Sequence, residues 1–598
     1  MTRSVLVNDV HSRLNPTRVR EVVPVASLDG LVEAVRAARR RGHSVCIAGG
    51  RHAMGGQAFA QGGMLIDTRG LDRIGRLDPV ASTVEVEAGI QWPALVEGLV
   101  RAQEGGAEPL SIAQKQTGAD RLTLGGAVSA NAHGRGLAMR PLIGDVESLV
   151  IVDADGELRF AGRRENADLF RLAVGGYGLF GVVASLTLRL VPRRKLERVV
   201  NLERIEDLMA AISRRIGEGC LYGDFQFAID ESSRGFLRHG ILSCYRPVPS
   251  STPMPPRPRE LSRDDWRFLV ELAHTDRRRA FQRYAEHYLA TAGQVYWSDT
   301  HQLGVYLDDY HRALDRRLRA RVPASEVIGE LFVPRGALPD FMGEAAAELR
   351  RRGVVVIYGT VRLIERDGES FLEWAREPYA CAVFNLHTEH SRQGIAATTG
   401  AFRALIDLAL RRGGSYYLTY HRWATRAQVE AAYPRMPEFL RARRSGTPSA
   451  SSRASGTGTA WSCSGRHGRR GWKSGAPDAT PERSSLDGEG HPRGERGQLL
   501  VLAPRRAEAA AHLGHPPLQL GGGSPGHLGG AGQHVTLTHA GHAQRELLAG
   551  PSKSVAVHLP LRGVDQGVGG EDRVHVFRQR PAGGEEQPAA RDLVIAAA

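Results

Sequence analysis

Three glycine-rich segments, each adjoining a β-strand pattern, constrain the fold of this chain more than any other feature. The first, Ala48–Phe59, follows Ser44–Ile47, an apolar run typical of a buried strand. Glycine lets the backbone approach a ligand closely, and successive N–H groups in such a turn form a concave anion site suited to a diphosphate. Taken alone, this segment is equally consistent with a glycine-rich hairpin loop.

The other two segments favour a ligand-binding role over a simple hairpin loop. Thr117–Gly134 is dominated by small residues, so its backbone can lie against a flat or extended ligand; the alternative is tight packing of a helix on a sheet. Leu172–Gly181 contains a GxGxxG spacing that starts at Gly176. A Rossmann-type motif needs a helix to open there, whereas Val182–Leu190 alternates like a strand. We therefore interpret that spacing as coincidental.

Charge and cysteine usage exclude several classes of function. The chain has 598 residues and a formal net charge of +14, without the long basic blocks interleaved with aromatics that nucleic-acid binders carry. The five cysteines are scattered and form no CxxC pair, which argues against zinc sites and disulfides and favours a reducing compartment. No apolar segment resembles a signal peptide or approaches the ~20 residues of a membrane span. The sequence predicts a cytoplasmic protein without a metal site, a nucleic-acid partner or a transmembrane segment.

Alternating strand and helix patterns accompany the glycine segments. A helix over Gly30–Arg41, capped at Ser27, is predicted between two short strands, and a second helix over Gln91–Gln103. The predicted strands in this half of the chain are Val22–Val25, His43–Ile47, Met64–Asp67, Thr83–Gly89, Gly144–Asp153 and Val182–Leu190.

Taken together, the three glycine segments resemble the FAD-binding domain of the vanillyl-alcohol oxidase / p-cresol methylhydroxylase (PCMH) flavoprotein superfamily. Their order and spacing match across roughly residues 20–192. The pair His133-Gly134, after a Leu-Gly-Gly-Ala run, resembles the sugar- and alditol-type oxidases, which include aldonolactone oxidases and decaprenylphosphoryl-ribose oxidases. The Gly-Gln-Ala-Phe that ends at Phe59 also resembles cytokinin dehydrogenases.

The resemblance implies an α+β fold with a divided chain. The FAD-binding domain, built of two subdomains, is predicted over 15–192, and a substrate (cap) domain with an antiparallel sheet over 193–410. Residues 411–444 are predicted to return to the FAD-binding domain. The resemblance implies FAD as the cofactor, contacted by residues of the three segments: Gly49, Gly50, Arg51, His52, Ala53, Gly55, Gly56, Gln57, Thr117, Gly118, Thr123, Gly125, Gly126, Ala130, His133, Gly134, Gly178, Gly181 and Val182.

His52 stands where many members of the superfamily carry a histidine bonded covalently to the flavin. Decaprenylphosphoryl-ribose oxidases lack that bond, so two alternatives remain for His52. We expect a covalent bond to FAD; the alternative is a histidine that only donates or accepts hydrogen bonds in its loop.

Three stretches of the later chain carry polar side chains suited to a flavin-linked alcohol oxidation, in which the cofactor takes the hydride. Val354–Arg362 is a predicted strand, and Arg362 resembles an arginine of alditol oxidases; the alternative is a surface salt bridge to Glu365 or Asp367. Cys381–His387 alternates, so Asn385 and His387 share one face, which is either the pocket face or the solvent face. Ser415–Arg422 is a predicted strand in which Tyr420 or His421 accepts the hydroxyl proton, where decaprenylphosphoryl-ribose oxidases have a lysine near Tyr420.

These features predict an FAD-dependent oxidoreductase acting on the CH–OH group of a sugar, alditol or aldonolactone-like alcohol, with O₂ or an electron carrier as acceptor. The alternatives are a dehydrogenase of the decaprenylphosphoryl-ribose or cytokinin type, and a flavin-binding protein without catalytic activity. An arginine-rich amphipathic helix over 264–288 is a cap, a membrane-surface contact or, as we expect, a solvated helix.

The composition changes near residue 445. All 14 tyrosines precede it, and only one phenylalanine (Phe577) and one isoleucine (Ile595) follow it. A segment so poor in large apolar residues predicts a disordered tail over 445–598. A second hypothesis is off-frame translation, because shifting GC-rich codons for Ser452–Thr459 by one nucleotide can give Gln-Ser-Glu-Trp-Tyr-Arg-His, which resembles the expected C-terminal ending of the family.

Overall fold

A computed structural model describes residues 4–305, 307 and 310–444. The predicted tail over 445–598, with the hypotheses of disorder and off-frame translation, lies outside the described residues. Within them, nineteen strands in four sheets and twelve α-helices confirm the predicted α+β class.

The strands are β1 (Val5–Val7), β2 (Thr17–Val19), β3 (Glu21–Pro24), β4 (Val45–Ala48), β5 (Met64–Asp67), β6 (Ile74–Asp78), β7 (Thr83–Glu87), β8 (Leu110–Ile112), β9 (Val146–Val152), β10 (Leu158–Gly162), β11 (Val182–Pro192), β12 (Lys195–Arg204), β13 (Tyr222–Phe227), β14 (His239–Val248), β15 (Val295–Trp297), β16 (Ala324–Pro334), β17 (Val356–Ile364), β18 (Tyr379–Glu389) and β19 (Ser415–Tyr416).

The α-helices are α1 (Leu28–Arg40), α2 (Trp92–Ala102), α3 (Leu124–Ser129), α4 (Ala167–Ala173), α5 (Leu208–Gly217), α6 (Arg263–Thr275), α7 (Arg277–Leu289), α8 (Tyr310–Leu318), α9 (Leu338–Arg352), α10 (Arg392–Leu410), α11 (Arg426–Ala432) and α12 (Met436–Arg444), with 3₁₀ turns at Leu142–Gly144, Thr300–Gln302 and Arg335–Ala337.

A small parallel sheet, in the order β3-β5-β4, begins the fold after the β1–β2 pair. Helix α1 connects β3 to β4, as the sequence predicts. The Ser27 side chain accepts a hydrogen bond from the Gly30 N–H at 3.1 Å, and Leu31 and Val35 lie on the buried face. The first glycine segment starts where β4 ends, at the edge of this sheet.

A second, antiparallel sheet runs β10-β9-β11-β7-β6, and β8 pairs with β11. Strand β11 follows the third glycine segment directly and pairs with β7 and β9. A strand therefore opens where a Rossmann motif would require a helix, which confirms that the GxGxxG spacing at Gly176 is coincidental.

The third large element is an antiparallel sheet in the order β15-β12-β14-β13-β17-β18-β16-β19. Helices α9 and α10 pack on it through an apolar cluster that includes Phe341, Leu405 and Phe402. A Cβ on Gly329 would collide with the ring of Phe402, so this face of β16 lies against α10. Side chains alternate along a strand, and Ile328 and Glu330 consequently face the other side, toward the glycine segments.

Two element predictions for the later chain are wrong. Only Ser415–Tyr416 of the predicted strand over 415–422 pairs in the sheet, and the chain then turns across its end. The helix predicted over 264–288 is two helices, because Asp276 has an extended conformation (φ −149°, ψ 80°) and caps α7 through its side chain. Leu272 and Tyr284 on these helices are buried against the rest of the protein.

The chain passes from the second sheet to the third between Pro192 and Lys195. The domain boundaries at 15, 192/193, 410/411 and 444/445 stay predictions. No helix of the described part of the chain has the combined length and apolar character that crossing a membrane requires.

Candidate functional site

A cavity of about 360 Å³ lies between the three glycine segments and the free face of the eight-stranded sheet. Most of the residues predicted to contact the cofactor line it. These are Gly49, Gly50, Arg51, His52, Ala53, Gln57, Thr117, Gly118, Thr123, Gly125, Gly126, Ala130, His133, Gly178, Gly181 and Val182.

Gly55, Gly56 and Gly134 do not line the cavity, and the cofactor contact expected of them stays a prediction. The Gly55 N–H donates to the carbonyl oxygen of Thr419 at 3.0 Å, and the Gly134 N–H donates to Gln114 Oε1 at 3.1 Å. Gly56 occupies a turn position with φ +73°. These three glycines stabilise the conformation of the glycine segments through hydrogen bonds and a turn, on the side away from the cavity.

Several of the remaining glycines are required by close packing. A Cβ on Gly49 would collide with the Thr123 side chain, and one on Gly50 with the carbonyl oxygen of Arg121. Gly181 has φ +124°, and its Cβ would lie 2.5 Å from Ile151 Cγ2. The first segment therefore packs directly on the second, and the third packs on β9.

Three residues other than glycine hold left-handed backbone conformations, one in each segment. Their φ values are +59° for Arg51, +47° for Asn131 and +53° for Tyr177. The buried Asn131 side chain donates to Asp367 at 2.9 Å, and accepts from the Ile143 N–H at 3.0 Å. Such conformations persist where surrounding contacts hold them, and they concentrate at ligand sites.

Several cavity side chains have a buried polar atom without a hydrogen-bond partner in the described structure. These atoms are Arg51 Nε, Gln57 Oε1, Gln116 Oε1, Arg362 Nε and Asn385 Oδ1. Buried polar atoms are nearly always paired, so a set of five around one cavity indicates a polar ligand that completes them. Donors and acceptors on both sides of a glycine-lined cavity fit a large, polar cofactor such as FAD.

His52 lines the cavity and contacts a second histidine. The distance between His52 Nδ1 and His11 Nε2 is 2.7 Å, and the ring centroids are 4.8 Å apart. Burial, aided by the charge of His311, lowers the pKa of His11 to about 4. His11 is thus neutral at physiological pH, and the pair is joined by one N–H···N hydrogen bond. The covalent flavin bond to His52 stays a prediction.

Arg362 and Asn385 lie on the cavity face of β17 and β18. Arg362 is buried, and Glu365 pairs instead with Arg335 at 2.6 Å, while Asp367 bonds to Asn131. The alternative of a surface salt bridge for Arg362 is therefore wrong. Asn385 pairs in register with Tyr358 of β17, and both side chains line the cavity.

Glu330 on β16 is a cavity residue that the sequence analysis did not identify. Its carboxylate accepts from the Tyr420 hydroxyl at 2.9 Å and lies 2.8 Å from His133 Nε2. Burial alone would raise its pKa, but His133, Arg362 and Tyr420 together hold the pKa of Glu330 below its usual range. A sequence signal existed, since Glu326 and Glu330 interrupt an apolar strand pattern and lie on one face.

Tyr420 lines the cavity, as predicted, from the turn that follows β19. Burial and the neighbouring Glu330 charge raise its pKa well above the ordinary tyrosine value. Tyr420 is therefore protonated at neutral pH and serves as a hydrogen-bond donor to the carboxylate. It accepts a proton only as it passes its own to Glu330.

His421 does not line the cavity, and its predicted role as proton acceptor stays a prediction that this position does not support. Because the chain turns instead of continuing as a strand, His421 stacks on Phe402 and Trp423, with centroid distances of 4.5 and 5.3 Å. Burial lowers its pKa to about 3. His421 is a neutral ring in an aromatic cluster.

His387 shares a strand face with Asn385, as predicted, but the structure does not place it at this cavity. It lies two positions farther along β18, opposite Glu326 of β16, with His387 Nδ1 3.6 Å from Glu326 Oε1. The catalytic role of His387 stays a prediction, and its position beside Glu326 does not support it.

The residues that follow β19 close the cavity and join it to the glycine segments. Tyr417 donates from its hydroxyl to the carbonyl oxygen of Ala130 at 2.7 Å, and Gln57 Nε2 donates to the carbonyl oxygen of Leu418 at 2.7 Å. Tyr177 and Thr419 contact through their hydroxyl groups at 3.3 Å. These hydrogen bonds join Tyr417–Thr419 directly to all three glycine segments, and the predicted return segment over 411–444 stays a prediction.

Comparison with known proteins supports the same assignment. Residues 19–162 match the family model of an FAD-binding domain. The chain is 31% identical over 183 residues to the decaprenylphosphoryl-β-D-ribose oxidase of Mycolicibacterium smegmatis, covering 30% of this chain and 38% of that protein. It is 30% identical over 179 residues to L-gulonolactone oxidase of Mus musculus, covering 30% and 37%. It is 30% identical over 197 residues to mitochondrial L-galactono-1,4-lactone dehydrogenase 1 of Oryza sativa subsp. japonica, covering 32% of each.

The matches cover less than half of the length of these relatives. They confirm the predicted resemblance to the PCMH-type superfamily and its aldonolactone-oxidase-like branch, together with FAD as the cofactor of this domain. The roles of individual residues stay predictions.

Proposed function

Because the chain contains an FAD-binding domain of the PCMH type, we propose that it is an FAD-dependent oxidoreductase that oxidises the CH–OH group of a sugar, alditol or aldonolactone-like alcohol. One observation carries this proposal. The cavity wall opposite the glycine segments bears a buried carboxylate, Glu330, and Tyr420 and Arg362 lie beside it on the same wall. That wall offers a proton acceptor and a fixed cation at one place.

FAD, when bound, supplies the hydride acceptor for such a reaction. The residues on the cavity face of the sheet take up the hydroxyl proton and stabilise the negative charge that develops on the substrate oxygen. Tyr420 donates to Glu330 and can take the hydroxyl proton of a substrate while it passes its own to the carboxylate. Arg362 contributes a permanent positive charge that stabilises negative charge developing on the substrate oxygen.

His133 keeps the carboxylate in place. Its Nδ1 lies 3.1 Å from the Gly134 carbonyl oxygen, and its Nε2 lies 2.8 Å from Glu330 Oε2. These two contacts fix the ring orientation of His133 and the position of Glu330 together. Asn385 and Tyr358 add polar groups for substrate hydroxyls on the same wall.

The substrate class is proposed from the relatives and from the cavity. Two of the relatives are named for the oxidation of aldonolactones, and one for a sugar joined to a lipid phosphate. The wall combines charged, phenolic and amide groups, which suits a ligand with several hydroxyls. A lipid-linked sugar is the less favoured member of this class, because Tyr420 takes the place of the lysine that resemblance leads us to expect there.

A substrate panel tests the proposal. The purified protein is mixed with alditols, aldoses, aldonolactones and a cytokinin, and peroxide release is measured beside reduction of an artificial electron acceptor. Peroxide formation indicates an oxidase, and turnover with the artificial acceptor alone indicates a dehydrogenase that uses a carrier. A yellow protein that oxidises no substrate of the panel contradicts the proposed activity and leaves a flavin-binding protein without catalytic activity.

The cytoplasmic localisation, with or without peripheral membrane contact, stays a prediction.

The bond to His52 has its own test. We propose that His52 is covalently attached to FAD, supported by its position at the cavity and its contact with His11. After acid precipitation, flavin absorbance is expected to stay with the wild-type protein and to move to the supernatant for His52→Ala. Release of all flavin from the wild type contradicts covalent attachment.

A further inference from the structure

A cluster of three histidines around one carboxylate lies in the cap part of the chain, beside the cofactor cavity but outside its lining. We propose that His274, Glu326, His387 and His311 form a binding site for a divalent transition metal of the zinc class. This proposal goes beyond the proposed oxidoreductase function, and it replaces the expectation from cysteine spacing that the chain has no metal site.

The ligand atoms converge from four elements. His274 Nε2 of α6 lies 2.9 Å from Glu326 Oε1, and His387 Nδ1 of β18 lies 3.6 Å from the same oxygen. These three atoms all lie within 4.8 Å of one another. His311 Nδ1 of α8 lies 2.9 Å from the second carboxylate oxygen. Ligands of a tetrahedral zinc ion at its usual bond lengths are about 3.4 Å apart, so small side-chain shifts suffice.

The orientation of the His274 ring directs one nitrogen at Glu326. His274 Nδ1 lies 2.8 Å from the carbonyl oxygen of Val270 and donates its hydrogen there. Nε2 then faces Glu326 Oε1 at 2.9 Å, where a metal ion can take the place of the proton. A backbone carbonyl behind a histidine ligand is the usual way such a ring is oriented. The competing account is a protonated His274 in an ion pair: burial lowers the pKa of His274, but the Glu326 carboxylate raises it above its ordinary value.

His387 supplies a second, independent observation. Its Nδ1 is buried and has no hydrogen-bond partner in the described part of the chain, although it faces Glu326. An imidazole nitrogen without a hydrogen-bond partner, directed at a buried carboxylate, is the arrangement that metal coordination completes.

A small cavity of about 80 Å³ adjoins the cluster. It is lined by three of the four proposed ligands, His311, Glu326 and His387, and by the acidic residues Asp315 and Glu389. The cavity provides an entry path and room for a water molecule on the metal. Imidazole and carboxylate ligands favour zinc, cobalt or nickel over calcium or magnesium, which prefer sites made of oxygen alone.

Metal content of the FAD-loaded full chain tests the proposal. The protein is purified without an immobilised-metal column, dialysed with Zn²⁺ or Co²⁺, freed of loose metal, and measured by mass spectrometry of the elements. We expect one equivalent per chain, a thermal midpoint that falls on chelation, and Co²⁺ bands at longer wavelengths than flavin absorption. His387→Ala and Glu326→Gln are expected to weaken binding by more than the roughly 10–100-fold typical of removing a residue behind a ligand.

His287→Ala is the matched control, because His287 lies on α7 outside the cluster and contacts the Tyr288 ring. This variant is expected to keep one equivalent of metal. Wild-type protein that takes up neither Zn²⁺ nor Co²⁺ overturns the proposal and leaves the ion pair, and this outcome requires no variant to fold. Equal metal binding by Glu326→Gln, His387→Ala and His287→Ala also overturns it. Flavin absorbance in the same samples reports FAD binding separately.

Discussion

The Glu330 carboxylate is the residue on which the proposed chemistry depends. It is 3% exposed, yet it stays ionised because Tyr420 donates to it and because His133 and Arg362 supply positive charge. A buried carboxylate held in this way is ionised at neutral pH and is therefore able to accept a proton. The cost of its burial is offset by partners from three separate parts of the chain, His133, Arg362 and Tyr420.

The low pKa of Glu330 has a consequence for the pH profile. Because the folded pKa lies below the usual value, the carboxylate remains a proton acceptor as pH falls to about 4.3, the ordinary value for glutamate. We expect the acid limb of kcat/KM to lie below that pH, in samples that recover full activity on return to neutral pH. An acid limb near 6.5, the ordinary value for histidine, contradicts the assignment of Glu330.

The aromatic environment of His421 predicts a pH-dependent stability. Since burial lowers its folded pKa to about 3, the unfolded chain binds a proton at His421 below pH 6.5 while the folded chain does not. Stability is therefore present above pH 6.5 and is lost as the pH falls, by about 2 kcal/mol between pH 6.5 and 5.

His421→Leu removes the titrating group together with a buried Nδ1 that has no partner among the described residues. Urea unfolding is expected to show a smaller loss of stability between pH 6.5 and 5 for His421→Leu than for the wild type, with kcat unchanged at neutral pH. A large fall in kcat with normal FAD content would restore His421 as a catalytic residue.

At the scale of elements, the second glycine segment packs closely on the residue that follows β7. Gly125 begins the turn of α3 against Ala88, and both residues line the cavity. A Cβ on Gly125 would lie 2.8 Å from Ala88 Cβ and 3.0 Å from the Ala88 carbonyl oxygen. We expect Gly125→Ala to destabilise the fold by about 1–3 kcal/mol and to lower FAD content.

Gly343→Ala is the control for that variant. Gly343 also lies in a helix, α9, but no described atom beyond its own helix backbone and chain neighbours stands within 4 Å of the position that a Cβ would take. Alanine is therefore expected to stabilise the fold by about 0.5–1 kcal/mol. Thermal unfolding and flavin-to-protein absorbance ratios measure both variants. Equal FAD content and stability for the two would show that the contact between Gly125 and Ala88 is unimportant.

The elements differ in how far sequence patterns determine them. Helix α1 and the strands β5, β7 and β11 follow directly from local periodicity and capping, and the structure confirms them. The strand over 415–422 could not be corrected from the sequence, because the turn after Tyr416 is fixed by hydrogen bonds to Ala130, Gln57 and Gly55 from the distant glycine segments. Long-range contacts of this kind override local β propensity.

In the candidate site, too, some features follow from local sequence and others depend on long-range contacts. The glycine segments were predicted because they carry a local backbone requirement. Glu330 was missed because its partners, His133 and Tyr420, lie 197 and 90 residues away in the chain. The histidine cluster was missed for the same reason, since His274, Glu326 and His387 carry no short spacing that indicates metal binding.

At the scale of the whole molecule, the cavity needs three separated parts of the chain. The glycine segments form one side, the strands β16–β18 form the other, and Tyr417–Tyr420 connects them. All cavity-lining residues in the described structure precede residue 421. The described lining of the cavity therefore lies entirely before the change of composition at 445.

The origin of residues 445–598 can be tested directly. If the reading frame has slipped near 445, resequencing of the gene will show one inserted or deleted nucleotide, and peptide mass spectrometry of the natural protein will find no peptide from this segment. Peptides from 445–598 together with an unchanged reading frame contradict the hypothesis of off-frame translation.

Anaerobic reduction of bound flavin by a hydroxyl substrate tests the central claim most directly. Wild-type protein is expected to be yellow and to lose its visible flavin absorbance on mixing with an aldonolactone or alditol from the panel. Glu330→Gln is expected to bind the same amount of FAD and to reduce it about 10²–10⁴-fold more slowly, because it lacks the proton acceptor. A colourless wild-type protein, or a Glu330→Gln variant reduced at the wild-type rate, would contradict the account.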